Sequence, residues 1–285
     1  MNRLVRLISV CSVVTIGVVA VPIVASAGGP SIEDATSAAE GKHAGARRMF
    51  ERALEGLELR PSQWKALDEL RMDADQRYAP VKSAKRGLMM ALADQVEQGK
   101  IDRCELAPRV EWVASAKSKA HPGDRAALQR MHSILDKQQR GRFVGSLREQ
   151  WRSYQQMMSA ESVVERMDRE LRLTEEQETK LRGIVSGLLE IADIAHAPAR
   201  ERWTRILDAF EGDDFALDEV APMEQDLEEK YTRMLGGHLW AAEVVVPVLD
   251  EKQRGMLAEK MREKARDYGS EKEGVIGSSM NPAEE

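Results

Sequence analysis

The side chains best suited to bind a metal ion or to attack a substrate are few in this chain. Five histidines occur, and no two stand three or four residues apart, the spacing that places two ligands on one helix face. They are His43, His121, His132, His196 and His238. No glycine-rich phosphate loop, nucleophile elbow or HExxH sequence is present. We therefore predict that the protein is not an enzyme and has no catalytic residues, no cofactor and no metal site.

Four short segments of a common pattern are suited instead to cap helices. Each segment has a leucine followed four residues later by a glutamine, and three of them carry aspartate or threonine after the leucine. Such a side chain accepts a hydrogen bond from a first-turn amide, and the glutamine reaches back to the amide of the cap. We predict this capping role for Leu59, Gln63, Leu135, Asp136, Gln139, Leu173, Thr174, Gln177, Leu249, Asp250 and Gln253.

The chain also repeats itself. A shift of 114 residues aligns 43–154 with 157–268 without a gap, and the closest match joins Leu135–Gly141 to Leu249–Gly255. A constant offset over this length indicates one structural unit present twice. We place repeat 1 at 43–156 and repeat 2 at 157–268.

Composition predicts that both repeats are helical. Charged residues make up 32% of the chain and aromatic residues only 5%, which is typical of helical bundles. In each repeat we predict a short first helix, at 44–57 and 161–171. A long second helix follows, from Pro61 to about Gln98 in repeat 1 and from Glu175 to about Glu211 in repeat 2, with Pro80 and Pro198 expected to kink or interrupt it.

A third and a fourth helix complete each predicted repeat. The third begins near Ala107-Pro108 or Ala221-Pro222, and we expect interruptions at His121-Pro122-Gly123 and at Gly236-Gly237. The fourth begins at Asp136 or Asp250, each a good N-terminal cap. The fourth helix of repeat 1 has a stripe of apolar residues spaced like those of a coiled coil.

The termini carry export and tail signals. Arg3 and Arg6 precede an apolar run at 7–24 and a small-residue cleavage site that ends at Ala27, so 1–27 reads as a signal peptide. A retained membrane anchor is the alternative, and no lipobox surrounds Cys11 that would indicate a lipid anchor. We read 28–42 as a flexible leader, 269–285 as a disordered tail and the location as the periplasm.

Cleavage would leave Cys104 as the one cysteine, which excludes an intrachain disulfide. We expect a small, partly buried side chain, with an intermolecular bridge or a reactive thiol as alternatives. Charge is divided unequally, because 43–156 has 22 Lys+Arg against 15 Asp+Glu and 157–268 has 16 against 26. Opposite charge favours docking of the halves on each other. The net charge of −6 makes nucleic acid a poor candidate partner.

Two capping segments in each repeat, one before the long helix and one before the last, resemble the LTxxQ motif of the periplasmic Spy/CpxP family. The similarity covers about residues 43–268. Only Leu173–Gln177 carries the threonine, and Arg60 departs from the pattern at the capping position. The resemblance implies an all-α fold of two tandem Spy/CpxP-like repeats, about four helices each, packed as an intrachain pseudo-dimer with no membrane span after cleavage.

The same resemblance implies a periplasmic, ATP-independent chaperone or envelope stress-response protein. Its partners would be unfolded client proteins or an envelope sensor protein, bound on an apolar and charged surface. A metal-responsive sensor or adaptor of the same fold, of the ZraP/CnrX type, is the alternative, and a passive docking protein is a third hypothesis. If each repeat covers the other's dimer surface, the chain is a monomer.

Overall fold

The computed structural model describes residues 46–268, which form nine α-helices and one 3-10 turn and contain no strand. The predicted signal peptide, leader and tail, and His43, lie outside these residues. The helices are α1 Ala46–Glu55, α2 Pro61–Gln98, α3 Arg103–Ile134, α4 Lys137–Met157, α5 Ala160–Leu171, α6 Glu175–Glu211, α7 Leu217–Val220, α8 Leu227–Val245 and α9 Glu251–Asp267, with the 3-10 turn at Val246–Val248. The predicted all-α class is confirmed.

The helix bounds of the first half recur in the second half after a shift of 114 residues. We call two positions equivalent when they are related by this shift. Helices α1, α2 and α4 correspond in this way to α5, α6 and α9. Helix α3 corresponds to α7, α8 and the 3-10 turn together, because the second half has a non-helical segment at 221–226 where α3 is continuous.

The apolar residues form two large cores, and each core contains residues of both halves. Core A combines α5, the start of α6, the end of α8 and α9 with the end of α2 and the start of α3. Core B combines α1, the start of α2, the end of α3 and α4 with the end of α6 and α7. Neither half therefore buries its apolar face alone, and the largest favourable term of folding depends on their contact.

Ion pairs join the halves at equivalent places. Arg148 in α4 contacts Asp208 and Glu211 near the end of α6, at 2.5 Å and 2.9 Å. Arg262 in α9, the equivalent of Arg148, contacts Asp94 and Glu97 near the end of α2, at 2.8 Å and 2.5 Å. The carboxylates are also equivalent to each other, so the same contact is made in both directions between the halves.

The expected interruptions of the third helix were wrong. Helix α3 continues through His121-Pro122-Gly123, and α8 continues through Gly236-Gly237. Gly123 instead lets the Arg77 side chain pass close to the α3 backbone, because a Cβ atom at this position would lie 2.4 Å from Cδ of Arg77. Arg77 can thus reach Asp124, the next residue of α3, at 3.1 Å. Pro122 is exposed, so water can solvate the carbonyl that its missing N–H leaves free.

Other predicted boundaries also need correction. The third helix begins at Arg103, capped by Asp102, rather than near Ala107-Pro108, so Pro108 lies inside its first turns. Neither Pro80 nor Pro198 interrupts its long helix, since α2 has 38 residues and α6 has 37. No helix within residues 46–268 is long and apolar enough to span a membrane.

Candidate functional site

The two glutamines of the first half form a closed pair of side-chain amides. Gln63 Nε2 donates to Oε1 of Gln139 at 2.7 Å, and Gln139 Nε2 donates to Oε1 of Gln63 at 3.2 Å. Each amide also donates to a backbone carbonyl of the other segment, Gln63 to Ile134 and Gln139 to Glu58. The oxygens accept from the cap amides that precede them, at 2.9 Å and 3.0 Å.

The two glutamines of the second half repeat this arrangement atom for atom. Gln177 and Gln253 exchange hydrogen bonds of 2.8 Å and 2.9 Å. Their amides donate to the carbonyls of Val248 and Arg172, which are equivalent to Ile134 and Glu58. We call Gln63 with Gln139 the first glutamine pair and Gln177 with Gln253 the second glutamine pair.

The capping residues predicted from sequence thus lie at two junctions, one in each half. Asp136, Thr174 and Asp250 each accept a hydrogen bond from the amide of the glutamine three residues on, whereas the Arg60 side chain makes no such bond. Leu135 and Leu249 are buried, and Leu59 and Leu173 are half-buried. Every amide hydrogen and oxygen lone pair of the four glutamines has a partner, so these residues hold the helix starts together. They offer no free group for chemistry.

The residue after the last glutamine of each half contacts the opposite half. Arg140 donates to the carbonyl of Leu135 at 2.9 Å and to Asp213, in the turn after α6, at 2.9 Å. Its equivalent Arg254 donates to the carbonyl of Leu249 at 2.7 Å and lies against Gly99, in the turn after α2. Gly99 has a φ of 79°, and a Cβ atom there would lie 2.9 Å from Nε of Arg254.

The histidines of residues 46–268 are not assembled into a metal site. No group of three or more His, Cys, Asp or Glu side chains in that part of the chain could hold a metal ion. His132 Nε2 lies 3.0 Å from the carbonyl oxygen of Gly212 and stacks on Phe215. His238 is buried, and burial, followed by the charges of His196 and Lys117, lowers its pKa to about 3.

Cys104 is exposed, so the expectation of a partly buried side chain was wrong. It stands in the first turn of α3, where Asp102 caps the helix and accepts a hydrogen bond from the Cys104 amide at 2.9 Å. This position faces away from the core, which the helix contacts through Leu106 and Val110.

The middle of α6 has the longest run without a buried side chain among the helices of residues 46–268. No side chain is buried between residues 189 and 205, a stretch that we call the exposed span. Core A buries α6 residues up to Leu188, with Leu189 packed against it, and core B buries residues from Ile206 onward, with Trp203 packed against it. Ile191 is 53% exposed and Ile194 is 70% exposed, although isoleucine is among the residues most often buried.

The exposed isoleucines belong to one face of α6. Positions 183, 187, 191, 194 and 198 recur every three or four residues and are glycine, glycine, isoleucine, isoleucine and proline, all exposed. At 1.5 Å per residue this stripe is about 22 Å long. The exposed carboxylates of Glu190, Asp193 and Glu201 lie beside it along the helix.

The equivalent stretch of α2 is packed. Tyr78, Val81, Ala84 and Leu88 are buried there, and α2 lies against both α3 and α9. The first three positions equivalent to the α6 stripe are Glu69, Asp73 and Arg77, and all three form ion pairs with α3. Glu69 and Asp73 pair with Arg130, and Arg77 pairs with Asp124. The sequence repeat gave no hint of this difference, because only the contacts of each helix decide which face is covered.

The halves cross where α3 meets α8. Lys117 is 4% exposed, and its Nζ lies 4.8 Å from the ring centre of Tyr231, the equivalent residue. Burial, followed by the charge of Lys85, lowers the pKa of Lys117 to about 7, while Asp124 acts in the opposite direction. Burial, followed by the charge of Asp124, raises the pKa of Tyr231 to about 12. Equivalent residues touch each other only near an axis that relates the two halves.

Comparison with known proteins adds no identification, since no protein-family model, curated protein or solved structure matches the chain.

Proposed function

We propose that this protein is an exported, ATP-independent chaperone or envelope stress-response protein that binds unfolded or partner proteins. Its fold would be two Spy/CpxP-like repeats docked as a pseudo-dimer within one chain, working as a monomer in the periplasm. The exposed span of α6 carries the proposal. It presents two isoleucines beside charged residues, and the exposed stripe continues from them to bare helix backbone at Gly183 and Gly187.

A surface of this kind suits segments that have lost their own structure. Burial of apolar area contributes about 25 cal/mol per Å², and no defined pocket is needed for it. Contiguous exposed apolar surface is uncommon on monomeric proteins and marks interaction sites. The charged residues next to the stripe keep it soluble and speed the encounter with oppositely charged segments.

The shared architecture of the two halves supports a division of roles. The glutamine pairs, the Arg148 and Arg262 contacts and the two mixed cores hold the scaffold. Because these contacts fix both ends of α6, its middle can stay exposed without loss of the helix. A binding surface on a supported helix is better ordered than the same residues on a loop.

Aggregation of a client protein, unfolded by reduction of its disulfides, tests the proposal. The purified protein should suppress light scattering at near-stoichiometric ratios without nucleotide. The double variant Ile191→Ser/Ile194→Ser should lose most of the effect, because each isoleucine would no longer contribute about 1.5–3 kcal/mol of burial. Met72→Ser is the matched control, since Met72 is 53% exposed but lies on α2.

Two outcomes count against the proposal in different ways. Equal suppression by the double variant and the native protein would move the binding surface elsewhere. No suppression by the native protein, across several clients and salt concentrations, would remove the chaperone function itself.

A further inference from the structure

A cavity opens at the C-terminal end of the exposed span, whose last residues form part of its wall. Its walls come from α3, the end of α4, the last turns of α6 and the segment at 221–226 that separates α7 from α8. The polar part of its lining is formed by His121, Arg125, Arg200, Arg202 and Glu224. The apolar part includes Trp151, Trp203, Ile206, Leu217 and Leu227.

Positive charge exceeds negative charge at this cavity. Arg202 and Lys230 share one carboxylate, that of Glu224, with Lys230 at 2.7 Å. Arg125 contacts Asp218 at 2.5 Å, and Arg200 contacts Asp193 at 2.9 Å. Asp218 and Asp193 are 81% and 73% exposed, whereas Arg125 and Arg200 are 9% and 27% exposed, so water screens the carboxylates more than the arginines.

Burial and the nearby positive charges act in the same direction on the pKa values of three neighbouring groups. Burial, followed by the charges of Arg125 and Lys230, lowers the pKa of His121 to about 4. Burial, followed by the charge of Arg202, lowers the pKa of Lys230 to about 8. Burial and the charges of Arg205 and Arg125 also lower the pKa of Arg202.

The equivalent place in the other half is a filled core. The positions of Arg202, Trp203 and Arg125 correspond there to Leu88, Met89 and Leu239, which pack in core A. Glu224 corresponds to Val110, which is also in core A and lies on continuous helix α3. Arginines from both halves and an open segment of the second half thus stand where the equivalent place has packed apolar residues, although buried cations are costly unless they are paired.

We propose that this cavity binds a small carboxylate with a short aromatic or apolar body. The carboxylate would lie between Arg202, Arg125 and Arg200, where it balances the shared charge of Glu224. The apolar body would lie against Trp203 and Trp151, on the side closed by Ile206 and Leu217. Arginine suits this role because its planar guanidinium donates two parallel hydrogen bonds to a carboxylate.

Titration with benzoate tests the proposal on the full protein. The protein is labelled with ¹⁵N in its tryptophan side chains, and sodium chloride keeps the ionic strength constant. The indole signals of Trp151 and Trp203 should shift together and saturate, with a Kd on the order of 1 mM for a ligand of this size. The signal of Trp112, which lies 3.5 Å from the position of a Cβ on Gly87, should stay in place.

Benzamide and two variants provide the controls. Benzamide has the same shape without the charge and should bind at least about fivefold more weakly. Arg202→Gln should weaken benzoate binding by a similar factor, whereas Arg86→Gln, at the exposed position equivalent to Arg200, should leave it unchanged. If Arg202→Gln lowers the melting temperature, Arg200→Gln is the deciding variant. Its partner Asp193 is exposed, so loss of this ion pair should not destabilise the fold.

The proposal is overturned if the two indole signals do not saturate, if benzamide binds as well as benzoate, or if the deciding variant binds like the native protein. Client binding is measured separately by aggregation, with variants of Ile191 and Ile194, which do not line the cavity.

Discussion

The two long helices, α2 and α6, are alike at their ends and unlike in their middles. Both begin at a glutamine pair, and both end at a turn that an arginine of the other half contacts. Between these ends α2 buries Tyr78 and Val81, whereas α6 buries nothing from 189 to 205. The comparison shows that the repeated contacts lie at the ends of both helices, and that the stretch without buried side chains is the one that we propose for binding.

The crossing of α3 and α8 gives the largest expected effect on stability. The folded pKa of Lys117 is about 7 against 10.5 when exposed, so the unfolded chain binds more protons between these values. Stability should therefore rise with pH in that window, by up to about 1.4 kcal/mol per pH unit. Lys117→Met should reduce this rise and leave the part due to Lys230, whose pKa is lowered to about 8, as measured by urea unfolding between pH 7 and pH 10.

Lys65→Met, at an exposed position of α2, is the control and should keep the slope of the native protein. Above pH 10 the raised pKa of Tyr231, the equivalent residue, should reverse the trend, because the unfolded phenol loses its proton first. A native slope that persists in Lys117→Met would assign the pH dependence to other groups.

The glutamine pairs should differ in strength although their geometry is the same. Gln63 is 4% exposed, whereas its equivalent Gln177 is half-buried, so water can replace lost partners more easily at Gln177. We expect Gln63→Ala to lower the free energy of unfolding by about 3 kcal/mol and Gln177→Ala by about 1 kcal/mol. Chemical denaturation measures both, and equal losses would show that burial does not separate the two pairs.

The turns after the long helices offer a smaller contrast. Gly99 has a φ of 79° and no room for a Cβ beside Arg254, whereas Gly212 has an ordinary φ of −70°. Gly99→Ala should therefore cost about 2 kcal/mol and Gly212→Ala less than about 1 kcal/mol. Thermal unfolding of the two variants checks this, and a reversed order would contradict the described turn geometry.

The ion pairs of Arg148 and Arg262, which join the two halves in both directions, should have the smallest effect on stability. The two effects should be equal. Arg148→Ala and Arg262→Ala each remove contacts with two partly exposed carboxylates. Each should cost about 0.5–1 kcal/mol at low salt and less at high salt, because exposed pairs are screened. Unfolding at two salt concentrations tests this equality. A much larger loss at one site would show that the halves do not contribute alike.

The sequence predicted the helix starts well, because capping chemistry is local. Pro61, Glu175 and the caps Asp136 and Asp250 stand where the pattern placed them. It failed at Pro122, where α3 stays helical and contacts α2 through Arg77 and Asp124, a contact between segments 47 residues apart that no local pattern reveals. It also placed the start of the third helix of repeat 2 near Ala221-Pro222, whereas 221–226 is non-helical.

The exposed span and the cavity could not be predicted from the sequence either, because both depend on contacts between distant segments. Ile191 and Ile194 look like core residues in a helical pattern, and only the absence of a packed neighbour exposes them. The arginines of the cavity are spread over α3 and α6 and meet only through the fold. The glutamines were predicted as caps, but their pairing requires two segments 76 residues apart to meet.

Amide hydrogen exchange with and without an unfolded client tests the central claim most directly. The account predicts that exchange slows in the exposed span, 189–205, when the client is added, and stays unchanged in the packed equivalent stretch, 75–91. Both stretches belong to long helices, so each serves as the reference for the other. Slowing at 75–91 without slowing at 189–205, or no change in either stretch while aggregation is suppressed, would contradict the account.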